Sequence, residues 1–218
     1  RKLAEIRLKN QEEFQHLLMQ LATEFINAPV EQFDDVMNRM LEKVGLATHA
    51  DRSYVFEHDY SNSTSSNTYE WCAENITPEI GNLQSLPMHL YADILAAHNE
   101  GEVYHVPNIE ALRDTPALYQ HFAEQGIQSL VVLPLMVHQK NIGFIGFDAV
   151  RKPRSFKPSE IQLLQVLAEI VTNAIVRRKS ETQIRDSEND YRRLFDTMAQ
   201  GVVYQDKTGH IIKANKAA

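Results

Sequence analysis

The side chains of this chain that could do chemistry are few and scattered. Its only tryptophan and only cysteine, Trp71 and Cys72, stand side by side in the stretch NTYEWCAENI. A lone thiol reacts when its thiolate is stabilised, and the neighbouring carboxylates Glu70 and Glu74 oppose that. One cysteine also excludes an internal disulfide and any zinc site built on a cysteine pair. Nine histidines lie at 16, 49, 58, 89, 98, 105, 121, 138 and 210, with no close i, i+3 or i, i+4 helical pair to grip a metal. No metal site is expected. Gly-rich phosphate loops, H-E-x-x-H and G-x-S-x-G are missing. So is an H-E/D-x-x-x-P phosphoacceptor, which His105-Val106-Pro107 only superficially resembles. With no constellation to assemble, no catalytic residue is expected.

The elements that would position these residues follow from periodicity. The 218 residues suffice for one well-cored domain plus pieces of others. A formal charge of −7 disfavours nucleic acid as a partner. No apolar run approaches the roughly 18 residues that span a bilayer, so no membrane segment is expected in this fragment. The charged opening RKLAEIRLKNQEEF has no signal-peptide core and reads as the interior of a longer protein. Phe14, Leu17, Leu18, Leu21 and Phe25 share one face of a helix over 1–27. A second helix carries Phe33, Val36, Met37, Met40, Leu41 and Val44, with Gly45 placed as its C-terminal glycine. DRSYVFEHDY and NTYEWCAENI alternate around the polar turn SNSTSS, a hairpin pattern. Helices are expected near 88–99 and 115–125, with a short extended piece, EVYHVP, between them.

IQSLVVLPLMVHQKNIGFIGFDAV leaves no polar face until Asp148, so this hairpin should be the covered centre of a sheet. A long helix from about 158 to beyond 180 has two apolar rows, one through Ile161, Leu164, Ala168, Val171 and Ile175, the other through Leu163, Leu167, Ile170 and Ala174. That stripe is too wide for one contact surface. The closing stretch, from Tyr191, reads as a short helix and then strand, turn and strand.

This order of elements, with ADRSYVFEHD, SNTYEWCAENITPEIGNLQSLP and the closing hairpin, loop and long helix, resembles a GAF domain over residues 12–178. The tail resembles the start of a PAS domain, through Phe195, Gly201, Asp206, Gly209, Ile211 and Asn215. The resemblance implies an α+β fold (an α/β sandwich). A central antiparallel sheet of about five or six strands would carry the N- and C-terminal helices on one face, with loops and short helices on the other. It implies an N-terminal helix over 1–27, the GAF domain over 12–178, a helical linker over 179–195 and a truncated PAS start over 196–218.

The implied function is a non-catalytic sensory or relay module of a cytoplasmic bacterial signalling protein, with a histidine kinase or cyclic-di-GMP enzyme as output. A small organic ligand, if bound, would sit between the sheet and segment 76–127, near Tyr69, Trp71, His89, Tyr91, Tyr104, His105 and Phe122. The alternative is a module that only dimerises; redox sensing through Cys72 is a third reading. A homodimer is implied through the terminal helices, with Leu164, Leu167, Val171 and Ile175 on the signalling helix. Departures from family patterns argue against two ligands. Asn141, Phe147 and Asp148 are not spaced as in cyclic-nucleotide-binding members. Cys72, in a strand and followed by Ala73, does not match bilin attachment. Adjacent strand residues face opposite ways. Trp71 would thus share an apolar side with Tyr69 and Ala73, and Cys72 a polar side with Thr68, Glu70 and Glu74.

Overall fold

A computed structural model describes residues 2–218, with side chains at Lys9 and from Gln11 onward. Arg1, part of the expected first helix, lies outside the described residues. The chain divides into two compact units, residues 1–174 and 175–218.

In the first unit, α1 (Lys2–Asn27) and α2 (Phe33–Thr48) form an adjacent pair. Phe14, Leu18, Leu21 and Phe25 of α1 are buried, as their spacing requires. The sheet contains β1 (Arg52–Asp59), β2 (Thr64–Cys72), β3 (Leu86–Pro87), β4 (Tyr104–Val106), β5 (Ser129–Val137) and β6 (Lys140–Ala149). Its order is β3-β2-β1-β6-β5-β4, antiparallel throughout. β3 is an addition to the expected strands, and β2 begins at Thr64, inside the expected turn. α2 packs on β1 and β2. The opposite face is roofed by a short helical turn at Met88–Tyr91, α3 (Ala92–Asn99), a turn at Ile109–Leu112 and α4 (Pro116–Glu124).

Two glycines allow close approaches that a side chain would block. Gly45 is interior to α2, and a Cβ there would collide with the Trp71 indole. It is not the expected cap; His49 takes that place, in the left-handed conformation with φ 53°. Gly146 of β6 likewise leaves room for the ring of Tyr54, which lies across it.

α5 (Pro158–Thr197) runs through both units. By length and composition part of it would pass for a membrane span, contrary to the expectation that none would. Leu164, Leu167 and Val171 are nonetheless fully buried within the first unit, as in the core helix of a folded domain. Ile175 is buried too. The four residues assigned to a dimer seam are therefore occupied inside one chain. The short helix read from Tyr191 is the end of α5, continuous with the helical linker. In the second unit, α5 ends and β7 (Val203–Gln205) pairs with β8 (Ile211–Ala214). The carboxylate of Asp206 holds their turn by accepting N–H bonds from Thr208 (2.8 Å) and His210 (3.0 Å).

The Gly45–Trp71 contact is testable. Gly45→Ala gains about 1 kcal/mol of helix propensity but overpacks the interface, which typically costs about 1–3 kcal/mol. Urea denaturation should show a net loss of stability that a smaller residue in place of Trp71 relieves. An unchanged midpoint for Gly45→Ala alone would contradict the packing.

Candidate functional site

The roofed face of the sheet collects the chain's unusual residues because of register. β1 places Arg52 opposite Asp148 of β6, Tyr54 opposite Gly146, and Phe56 opposite Phe144. On its other side, Arg52 faces Cys72 and Tyr54 faces Glu70 of β2. All seven side chains therefore belong to one face. Phe56 and Phe144 stack at 4.6 Å between ring centroids, with Tyr54 edge-on to Phe56 at 5.6 Å and Tyr91 of the roof at 6.0 Å. These rings, with Ile94, Phe122, Val132 and Arg52, line a recess of about 340 Å³ counting its open mouth. Its water-accessible centre is only about 20 Å³, room for about one water. A larger ligand requires the roof to lift.

One end of the recess is ionic. Arg52 is only 2% exposed. Its Nη2 donates to the Thr77 carbonyl at 3.0 Å. Nε lies 3.7 Å from Glu70 Oε1 and Nη1 lies 3.6 Å from Asp148 Oδ2, and neither nitrogen makes a hydrogen bond. Glu70 is well supplied: Oε2 accepts from the backbone N–H of Glu79 (2.8 Å) and Ile80 (3.0 Å), and Oε1 from Asn67 (3.2 Å). Asp148 accepts the Tyr54 hydroxyl on Oδ1 at 2.8 Å, while Oδ2 has no hydrogen-bond partner. Burial raises the pKa of Asp148 to about 7; Arg52 and the Tyr54 bond pull against this, and Glu70 and Asp51 add to it.

Hydrogen bonds tie the roof together along the recess wall. Tyr91, on the turn before α3, reaches His121 Nε2 of α4 at 3.0 Å, and the Gln125 amide is 3.1 Å from the same nitrogen. With the Gln125 N–H donating, Nε2 is an acceptor, so His121 is neutral here. Burial lowers its pKa, in keeping with that state. Behind Phe144, His98 is fully buried, with Nε2 3.3 Å from the Val132 carbonyl and Nδ1 unpartnered. Burial holds both His98 and His58 down to about 4.

The structure brings together only part of the expected pocket. Tyr91 and Phe122 line the recess, and Tyr104 packs beside its apolar cluster. Tyr69 and Trp71 lie on the other face of the sheet. Tyr69 donates to Asp34 of α2 at 2.5 Å, and Trp71 packs on Gly45. His105 also points away from the recess: its Nε2 accepts the Phe156 N–H at 3.2 Å. His89 is exposed. Cys72 is half-buried, and its thiol is pushed up to about 11 by burial and Glu70, so it stays protonated at neutral pH. The missed residues are Arg52, Tyr54, Phe56, Phe144 and Asp148. Their signal was the alternation of Arg52, Tyr54 and Phe56 in one strand and the aspartate Asp148 near the end of the largely apolar strand that carries Phe144. Among the described residues, no cluster of three His, Cys, Asp or Glu could hold a metal.

These groups set an acid dependence. Between pH 6.5 and about 4, the unfolded chain takes up protons at His58 and His98 that the folded chain refuses. Over the same range the folded chain holds a proton on Asp148 that the unfolded chain has released. The net difference is one proton more on the unfolded chain, so stability should fall on acidification by about 1.4 kcal/mol per pH unit. His105 and His121, also lowered by burial, act in the same direction. Asp148→Asn should steepen this slope and His98→Leu should flatten it, read from urea midpoints at several pH values. Equal slopes in the wild type and both variants would refute the assignment.

Residues 32–175 match the sequence pattern of the GAF domain. The methanogenesis regulatory histidine kinase FilI of Methanothrix harundinacea (strain 6Ac) is 31% identical over 160 residues, covering 69% of this chain. The chain spans 17% of that relative's length. In fold, the chain is similar to the phycoerythrobilin-bound GAF domain of a cyanobacterial phytochrome, with a TM-score of 0.65 and 14% identity over 77% of this chain and 96% of that one. It is also similar to the chromophore-binding domain of a Stigmatella aurantiaca bacteriophytochrome (Thr289His mutant, Pr state), with a TM-score of 0.61 and 15% identity over 75% and 60% of the two chains. The six-stranded antiparallel sheet with its helices is the α+β fold those domains share, and with the sequence match over residues 32–175 this chain belongs to the GAF domain family.

Proposed function

We propose that this chain is the sensory module of a signal-transducing protein of the histidine kinase type, binding a small organic ligand in the roofed recess. The observation that carries this reading is Arg52, a buried guanidinium with two unsatisfied N–H groups at the wall of an aromatic recess. Each unsatisfied buried donor costs about 1–3 kcal/mol, which a ligand acceptor recovers. The bilins named with the similar structures support a pocket ligand in general terms; Cys72, off the rim and followed by Ala73, gives no support to covalent bilin. Ligand entry lifts the roof and changes how the sheet bears on α5. That helix carries the change toward a PAS domain beginning near residue 196 and an output domain beyond it, a kinase or a cyclic-di-GMP enzyme, in the cytoplasm.

The protein acts as a homodimer through α1 and α5. Since Leu164, Leu167, Val171 and Ile175 are buried within the chain, pairing uses the exposed Met19 of α1 and Val166 of α5 instead. The small centre of the recess favours a second reading, a pairing module without ligand. Native mass spectrometry of freshly purified protein separates the two: a retained small molecule supports sensing, and a clean apo dimer supports the second reading. Redox sensing through Cys72 has its thiol pKa against it.

The relay has its own test. Residues past Val176 on α5 are charged and largely exposed, with Arg177 paired to Glu181 at 2.6 Å. Glycines in place of Arg178 and Lys179 cost about 2 kcal/mol of local helix stability. In the full-length protein, this double substitution should uncouple output from input while leaving the denaturation midpoint of the first unit intact. Unchanged regulation would rule the relay out.

A further inference from the structure

We infer that the recess takes a small aromatic monocarboxylate, its ring among Tyr54, Phe56 and Phe144 and its carboxylate on Arg52, and that one proton enters the site with it. This rests on the ligand-binding reading above and names the ligand class. The guanidinium presents Nε and Nη1 without hydrogen bonds, and Nη2 is already committed to Thr77. These two nitrogens lie on opposite sides of the guanidinium, Nε toward Glu70 and Nη1 toward the unbonded Asp148 Oδ2, so Nη1 is the donor that can give a ligand carboxylate one charge-assisted hydrogen bond. A neutral hydrocarbon leaves the Nη1 donor unsatisfied, and a cation meets the guanidinium head-on. The stacked and edge-on rings suit an aromatic body, whose edges and faces repeat the same geometry.

Charge sets the proton count. Glu70, held by three N–H donors, already balances Arg52. A second anion arriving beside Asp148 is repelled unless Asp148 is protonated. Protonated, its Oδ2 becomes a donor toward the ligand carboxylate, so the negative charge brought by the ligand is matched by the proton. Every group facing Asp148 leaves that titration to it. From β1 come Arg52, which stays charged, and Tyr54, whose pKa is raised well above its usual value by burial. From β2 come Glu70 and the protonated thiol of Cys72. The roof supplies Tyr91, raised by burial, and the neutral His121 of α4. Asp51, just before β1, is paired with Arg151 (2.7 Å) and adds repulsion.

Isothermal titration of the 218-residue chain with benzoate, benzamide and benzylamine, at pH 6 and pH 8 and in buffers of different ionisation enthalpy, tests this. Benzoate should bind at least about tenfold tighter than either other probe, as one charge-assisted pair predicts. Its affinity should drop about tenfold from pH 6 to pH 8, with nearly one proton taken up at pH 8. Arg52→Met should abolish benzoate binding. Should that variant not fold, Asp148→Asn carries the test: it should bind benzoate with no proton uptake and no pH dependence. Benzamide or benzylamine binding as tightly as benzoate overturns the ligand class and leaves the recess reading standing. Benzoate binding without proton uptake overturns the role of Asp148. If none of the three binds, the class is overturned, and the retained-ligand mass spectrum decides the recess reading separately.

Discussion

A buried guanidinium is the constraint on which the polar interior of this domain depends. Arg52 cannot lose its charge, and taking it out of water is worth several kcal/mol unless carboxylates and carbonyls surround it. The sheet supplies these from both neighbours of β1: Asp148 from β6, Glu70 from β2, and the Thr77 carbonyl from the segment after β2. Glu70 in turn orders that segment by accepting from Glu79 and Ile80, where the roof begins. Register therefore matters twice over. A one-residue slip of β1 would send Arg52 to the helix face, where Ser53 donates to the Leu41 carbonyl at 2.9 Å and Trp71 rests on Gly45.

The two faces of the sheet divide the work. Alternate residues of β1 and β2 build either the recess or the seat of α2, never both. On one side are Arg52, Tyr54 and Phe56 with Glu70; on the other are Ser53 and Val55 with Tyr69 and Trp71. Trp71 and Cys72 thus belong to different structures, one a packing contact and the other the edge of the ionic cluster. The small residues follow the same division. Gly45 admits the indole on the helix side, and Gly146 lets Tyr54 lie flat enough to reach Asp148.

The framework was legible because it is written in periodicity. The closing hairpin read as a covered sheet centre, and Val131, Val132, Leu133 and Ile145 are essentially fully buried. What misled was the equation of polar with solvent-facing. Thr68, Glu70 and Cys72 looked like the wet side of β2, yet the Glu70 side chain is 1% exposed in the ion pair with Arg52. Long-range pairing decides this, because Arg52 and Asp148 are 96 positions apart and only the register of β1 on β6 makes them neighbours. The two-residue strand β3 had no pattern long enough to read. The wide stripe on α5 was real: Leu164, Leu167 and Val171 are buried, while Leu163 and Ile170 of the second row stay half-buried.

The ionic cluster also offers the proposed relay a short physical route. Asp51 adjoins Arg52, and its carboxylate accepts the backbone N–H of Val150 and Arg151, fixing the start of the loop that leads to α5. That loop is fastened at its far end as well. Arg154 N–H donates to Ser129 of β5, Phe156 N–H donates to His105 of β4, and the Arg154 side chain pairs with Glu160 in the first turn of α5 at 3.0 Å and reaches the Thr48 carbonyl at the end of α2. Contacts alone transmit nothing; a ligand moves α5 only if it binds two arrangements of this loop unequally. The loop is gripped by the strand beside the charged cluster, by the two strands under the roof and by the first turn of α5, which makes it the segment where the proposed relay would have to act.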